Sequence, residues 1–202
     1  MIKVGLTGNF FSGHEQISQL FEEKGVPVFD ADVILKYLLN YSEKHVTKIK
    51  STIGDDIYKD GLLNLKSIDS NKKFDSILDL VHVDLIRSYE KWRLENQDSF
   101  YTIFKASFLF ERKLNHIMNF NINVYRPKQY RRDDIYNLTS INISTISDIL
   151  ENEMDELYKN KKSEYKIDNY NRHIHFGTDT QVQNIHNLLM SRNKPILTHH
   201  YM

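Results

Sequence analysis

Apolar residues in this chain alternate between short continuous runs and helically spaced stripes. Strands, as three- to six-residue runs rich in apolar residues, fall at Ile2 to Thr7, Val26 to Phe29, Phe100 to Phe104, Asn121 to Tyr125 and Tyr165 to Ile167. Between them the spacing changes to that of a helix. Ile17, Leu20 and Phe21 share one face of His14 to Lys24, and Ile34, Leu35, Leu38 and Leu39 repeat the pattern over Val33 to Leu39. A longer stripe, Ile77, Leu80, Val81, Leu85, Ile86 and Trp92, runs through Phe74 to Leu94. Ser144 to Lys162 predicts a second long helix, with Ile146, Ile149, Leu150, Met154 and Leu157 on its apolar side. Strands alternating with helices predict an α/β fold whose sheet is mainly parallel, and the apolar stripes are read as core. Ile185, Leu188, Leu189 and Met190 form the amphipathic end of a last helix, after which the final dozen residues pack late or stay mobile.

The first strand runs into Gly8-Asn9-Phe10-Phe11-Ser12-Gly13, followed by His14-Glu15. That spacing is the G-x-x-x-x-G-K-[ST] phosphate loop with both glycines kept, His14 in place of the Lys and Glu15 in place of the Ser/Thr. The Lys would reach the phosphates and the hydroxyl would hold Mg²⁺, so both standard charge-placing pieces are replaced. A carboxylate at a helix start also competes with phosphate for the same free N–H groups. Phe10 and Phe11 add bulk where such loops favour small residues.

Composition narrows the setting. The 202 residues carry 27 basic and 27 acidic side chains, so no global field pulls the chain toward nucleic acid or membrane. The absence of cysteine removes disulfides, thiol nucleophiles and Cys-based metal sites, and fits a cytoplasmic protein. No signal peptide and no membrane-length apolar stretch is visible. Abundant Asn, Lys, Ile and Tyr point to an A/T-rich source such as a phage or a reduced bacterium. With scarce Gly and Pro there is no evident linker, and we expect one domain over residues 1–202.

Several polar groups are candidates for chemistry. Arg126, Lys128, Arg131 and Arg132, interleaved with Tyr125, Pro127 and Tyr130, form the densest basic and aromatic patch, suited to phosphate pairing or to an ordinary charged helix. Lys159, Lys161 and Lys162 are read first as a solvated face. Asp30 and Asp32 end a strand where parallel sheets place ligands; either also suits the cap of the helix at Val33. His173, His175 and the His199-His200 pair offer too few convergent ligands for a metal, and no metal site is predicted.

Gly5-Leu6-Thr7-Gly8, Ser12-Gly13 and the segment Phe21-Glu22-Glu23-Lys24-Gly25-Val26-Pro27-Val28-Phe29-Asp30-Ala31-Asp32 resemble the start of dephospho-CoA kinase, which transfers the ATP γ-phosphate to the ribose 3′-hydroxyl of dephospho-CoA. Weaker similarity continues through Ile53-Gly54, Asp60-Gly61-Leu62-Leu63, Leu80-Val81-His82-Val83, Phe108-Leu109-Phe110-Glu111 and Ile167-Asp168-Asn169. The resemblance implies a three-layer P-loop kinase fold, a five-stranded parallel sheet with helices on both faces, and a small helical lid. Lid and acceptor-side helices would lie within about residues 31–97 and 127–163. By resemblance Asp32 is the catalytic carboxylate near the acceptor hydroxyl, and Asp30, His82 and Glu111 line the acceptor site. Gly8, Asn9, Ser12, Gly13, His14 and Glu15 form the phosphate loop. The family's lid arginines have no direct counterpart: the chain reads Glu153, Glu156 and Lys159 there, and the upstream arginine falls near Asn137 or Leu138. Arg126, Arg131, Arg132 and Lys159 are therefore the lid and phosphate candidates.

Three functions follow. The chain is a relative with impaired or lost ATP chemistry that binds a CoA-like or nucleotide ligand, an active kinase using ATP and Mg²⁺ through a rebuilt phosphate site, or an interaction module on a kinase scaffold. Zero net charge argues against extensive nucleic-acid binding.

Overall fold

The computed structural model describes residues 1–64, 71–138, 150–170 and 177–192. The predicted strands are all present. β1 (Ile2–Gly8), β2 (Val28–Asp30), β5 (Tyr101–Lys105), β6 (Phe120–Tyr125) and β7 (Tyr165–Asp168) make one parallel sheet in the order β2-β5-β1-β6-β7. The central strand β1 pairs Leu6 with Lys105 on one side and with Ile122 on the other. Both neighbours thus bring their C-terminal ends to the edge where β1 gives way to the loop.

The chain divides into two compact units, Met1–Val28 with the segment from Asn96 onward, and Phe29–Glu95. In the first, α1 (His14–Glu22) and the helix Thr178–Ser191 cover one sheet face. Val4, Leu6, Ile103, Ile122, Val124 and Ile167 meet Ile17, Phe21, Val182, Ile185 and Leu189 there. The period-2 alternation puts Gly5, Thr7, Thr102, Asn121 and Asn123 on the other face, together with Phe104. At Gly5 a Cβ would collide with Leu109 and the Asn121 amide, so the missing side chain is what lets the 106–118 segment close on the sheet. Asn123 Nδ2 donates to Asn160 Oδ1 at 2.8 Å, tying the helix Glu156–Lys162 to that same face.

The predicted continuous helix over Ser144 to Lys162 is not found in its described part. The backbone leaves helix after Asn152 and restarts at Glu156, because Asp155 caps the new helix, its side chain accepting from Tyr158 N–H at 2.8 Å. Positions 144–149 lie outside the described residues, as do His173, His175 and the last ten residues with His199 and His200.

The second unit contains α2 (Ala31–Asn40), α3 (Glu43–Ile53), a short hairpin of β3 (Tyr58–Lys59) and β4 (Leu62–Leu63), and α4 (Asn71–Glu95). Asp60 and Gly61 both adopt positive φ at the hairpin tip, 52° and 80°. Asp30 settles the capping choice, accepting from Val33 N–H at 3.1 Å. Phe29 packs on Tyr89 and Trp92 of α4. Asp84 of α4 clips α3 through His45 Nε2 at 2.8 Å and Lys44 Nζ at 2.9 Å, with Arg87 on its other oxygen at 3.1 Å. Those three donors, the Lys44 hydrogen bond foremost, hold the Asp84 carboxyl well below the usual carboxylate range.

Three further helices of the first unit are α5 (Lys128–Leu138), α6 (Glu156–Lys162) and α7 (Thr178–Ser191).

Candidate functional site

Between β1 and α1 the loop has the wrap of an anion cradle. Gly13 closes it at φ 88° in the left-handed region, and a Cβ there would strike the Asn169 amide, which donates to Ser12 O at 2.8 Å. Ser12 N–H returns to Asn9 O at 2.9 Å, and a Cβ at Gly8 would overlap the Ser12 hydroxyl. The two glycines are thus required by close approach and by backbone conformation. His14 Nδ1 lies 3.2 Å from Ser12 Oγ.

The charges around the cradle point inward. Glu15 is ion-paired with Lys105 Nζ, the last residue of β5. The Lys105 side chain is only 2% exposed, against 61% for Glu15, so the cation is the fixed partner and the carboxylate reaches to it. On the other side of the loop, the Glu153 carboxylate accepts from Phe10 N–H at 2.6 Å, and Asn9 Nδ2 donates to Met154 O at 3.0 Å. The 153–154 segment is therefore strapped to the loop, its carboxylate on a loop amide. Arg131, 1% exposed, binds this strap from below: Nη1 to Glu153 at 2.8 Å and to Phe10 O at 2.7 Å, Nη2 to Glu156 at 2.8 Å, and Nε to Arg126 O at 3.0 Å. Burial raises the Glu156 carboxyl above its ordinary range, with the Arg131 charge opposing.

The remaining candidates are also engaged. Arg126 binds Asn169 O at 2.6 Å and the Asp134 carboxylate. Lys159 is buried with its Nζ 2.7 Å from Glu111, so two candidates from opposite predicted subsites form one ion pair. Arg132 is exposed, with Asp133 at 3.8 Å. Phe11 packs on Ile135 and Leu150, whereas Phe10 stays at the surface and lines an open pocket of about 780 Å³ with Gly13, His14, Glu15, Arg126 and Asn169. Asp30, Asp32 and His82 lie in the second unit. Asp30 is the cap of α2, Asp32 sits half-buried in its first turn and His82 half-buried on α4. Among the described residues no helix is long and apolar enough to cross a membrane.

Magnesium holding a nucleotide triphosphate takes an octahedral set of oxygens drawn from carboxylate, hydroxyl, water and phosphate. The donor set here does not fit it. The Glu15 carboxylate already binds an ammonium, and among the described residues no group of three or more His, Asp or Glu side chains is placed to hold a metal. Reasoning on the sequence missed Lys105, whose signal was a lysine closing a buried strand at the edge where parallel sheets bind ligands.

A family model described as Dephospho-CoA kinase (CoaE) matches residues 2–174. A dephospho-CoA kinase of Fusobacterium nucleatum is 26% identical over 174 residues, covering 82% of this chain and 88% of that protein. One from Porphyromonas gingivalis is 25% identical over 138 residues, 66% of this chain and 68% of that protein. Among solved structures, TT1252 from Thermus thermophilus superposes with TM-score 0.76 at 16% identity, covering 96% of this chain and 98% of that one. A dephospho-CoA kinase from Campylobacter jejuni gives TM-score 0.55 at 15% identity, covering 93% and 96%. At these identities the structural likeness speaks for the fold alone.

Proposed function

The chain belongs to the dephospho-CoA kinase family, and on that premise we propose that it is a member whose ATP-dependent phosphorylation of the ribose 3′-hydroxyl is impaired or lost. In this reading the chain keeps a binding role toward a CoA-like or nucleotide ligand, with Asp32 and His82 assigned to the acceptor. The observation that carries the reading is the Glu153 carboxylate on Phe10 N–H, backed by the buried Arg131. An internal anion there takes a donor that phosphate would need, and the arginine best suited to a bidentate phosphate contact is spent on two glutamates. Stabilising charge that builds up on a transferring phosphoryl group needs donors held ready for it, and their loss removes a large term in the rate.

The alternative of an active kinase is favoured by one feature, the pocket of about 780 Å³ beside the loop, which falls in the size range of nucleotide and cofactor sites. One assay decides between them. Purified protein is incubated with Mg-ATP and dephospho-CoA, and phosphorylated product is sought by mass spectrometry against a Glu15→Ala, Asp32→Ala blank. We expect no product above the blank; product above it overturns the proposal. Dephospho-CoA alone is expected to raise the melting temperature, since a ligand at a hundredfold excess over Kd stabilises by about 2.7 kcal/mol.

A further inference from the structure

Phosphate loops hold their metal between two protein oxygens: the hydroxyl after the loop lysine, and a carboxylate at the end of a neighbouring strand. Both places are identifiable here by position. The first is Glu15, in the opening turn of α1, directly after the residue that replaces the lysine. The second lies at the C-terminal end of β5, which runs parallel beside β1, with Lys105 in register with Leu6 two residues before Gly8. Each place carries the opposite of what a metal needs. The helix offers a full carboxylate instead of a neutral hydroxyl, the strand offers an ammonium instead of a carboxylate, and the two are bound to each other.

We propose that the Lys105 ammonium stands in for the metal ion, so that this phosphate loop is assembled around an internal cation and excludes Mg²⁺. The inference rests on the family reading above, and not on whether transfer occurs. A divalent ion beside Glu15 would meet a fixed positive charge buried to 2% exposure, which cannot swing out to solvent as a surface lysine would. Glu15, the carboxylate at the hydroxyl position, is already committed to that charge. Among the described residues, no group of three or more His, Asp or Glu side chains is placed to bind a metal. What magnesium ordinarily does for the architecture, joining the start of the helix to the end of the adjacent strand, is done here by one covalently tethered charge. Any phosphate-bearing ligand received at the loop is accordingly received without a metal.

The test uses Mn²⁺ as the probe, its free concentration read by electron paramagnetic resonance during titration of the full chain in the absence of nucleotide. Wild type is expected to bind no Mn²⁺ below the millimolar range, and Lys105→Asp, which turns the pair into two facing carboxylates, to bind roughly tenfold tighter or better. Lys105→Gln serves as a milder variant if the first does not fold, and is expected to shift in the same direction. Wild-type melting in millimolar MgCl₂ and in EDTA, at matched ionic strength, should coincide. Submillimolar Mn²⁺ binding by wild type that disappears in Glu15→Gln, a Mg²⁺-dependent rise in wild-type melting, or folded Lys105 variants that bind no better than wild type would each overturn the proposal. None of these readouts involves ATP or turnover, so they separate this inference from the proposed loss of transfer.

Discussion

Replacing Arg131 by Ala tests the strap over the phosphate loop most directly. The guanidinium is 1% exposed and holds Glu153, Glu156 and two backbone carbonyls, of Phe10 and Arg126. Its removal leaves two carboxylates facing each other with side-chain exposures of 14% and 19%, where water reaches them poorly. Two like charges about 6 Å apart at an effective dielectric of ~20 repel by about 3 kcal/mol. Breaking a buried ion pair by deleting one partner costs about 3–5 kcal/mol in measured cases, in line with that figure. At about 2–4 °C per kcal/mol for a chain of this size, the melting temperature should fall by about 6–20 °C at pH 7.

The pH dependence adds a sign. Glu156 already titrates above its ordinary value through burial, with Arg131 opposing that shift, so losing Arg131 raises it further. A carboxyl whose folded pKa lies above the unfolded one contributes stability below the unfolded pKa and loses it as pH rises through the folded pKa. The deficit of Arg131→Ala should therefore shrink on acidification toward the ordinary glutamate range and grow toward neutrality. Thermal unfolding followed by circular dichroism from about pH 3.5 to about pH 7.5, on both sides of the ordinary glutamate value of about 4.3, measures it. Adding Glu153→Gln and Glu156→Gln to Arg131→Ala should restore much of the loss. A fall under about 3 °C at pH 7, or a triple variant no better than the single one, would refute the electrostatic reasoning and leave Arg131 a packing residue.

Two further substitutions probe the frame of the site. Asp84 is held below its usual range by Lys44, His45 and Arg87, so its contribution is present above the ordinary aspartate range and is lost as pH falls through and below it. Asp84→Asn should lower the melting temperature at neutral pH and flatten its decline in acid; an unchanged acid slope would show that the clip between α3 and α4 carries no charge linkage. Gly13→Ala forces an L-residue into φ 88° and drives a Cβ into the Asn169 amide, at a cost of about 1–2 kcal/mol from the backbone alone. It should weaken the Asn169–Ser12 hydrogen bond and lower the melting temperature by about 2–8 °C, and a neutral result would mean that the loop relaxes to another shape.

The strands were legible because each carries apolar residues that pack into the core on one sheet face, and the loop because its two glycines answer to local geometry. The helix over Ser144 to Lys162 was misread for an instructive reason. Periodicity continues through Met154 and Leu157, but Asp155 prefers to cap and Glu153 is drawn to Arg131 and Phe10, a preference set by partners far away in sequence. Lys105 shows the same limit. Its place at a strand end was visible, whereas its partner Glu15 lies 90 residues earlier and is identified only by the register of β5 against β1. Glu153, Glu156 and Lys159 were legible as substitutions at lid positions, but not as members of closed internal pairs.

The substitutions on the phosphate side are coupled by the energetics of buried charge. A lone ammonium at the end of β5, or a lone guanidinium under the loop, would face a desolvation cost of several kcal/mol with nothing to offset it. Lys105 therefore requires an acid within reach, and the helix start supplies Glu15. Arg131 requires carboxylates, and positions 153 and 156 supply them; Lys159 requires Glu111. Removing the carboxylate alone, Glu15→Ser for example, takes an acid away from the buried Lys105 ammonium and should lower stability without supplying a set of metal ligands. Changing the phosphate side thus turns on the buried cations, Lys105 and Arg131, whose acidic partners are the more exposed members of each pair. That is the physical sense in which this loop is closed by the protein's own charges rather than left open by the loss of one residue.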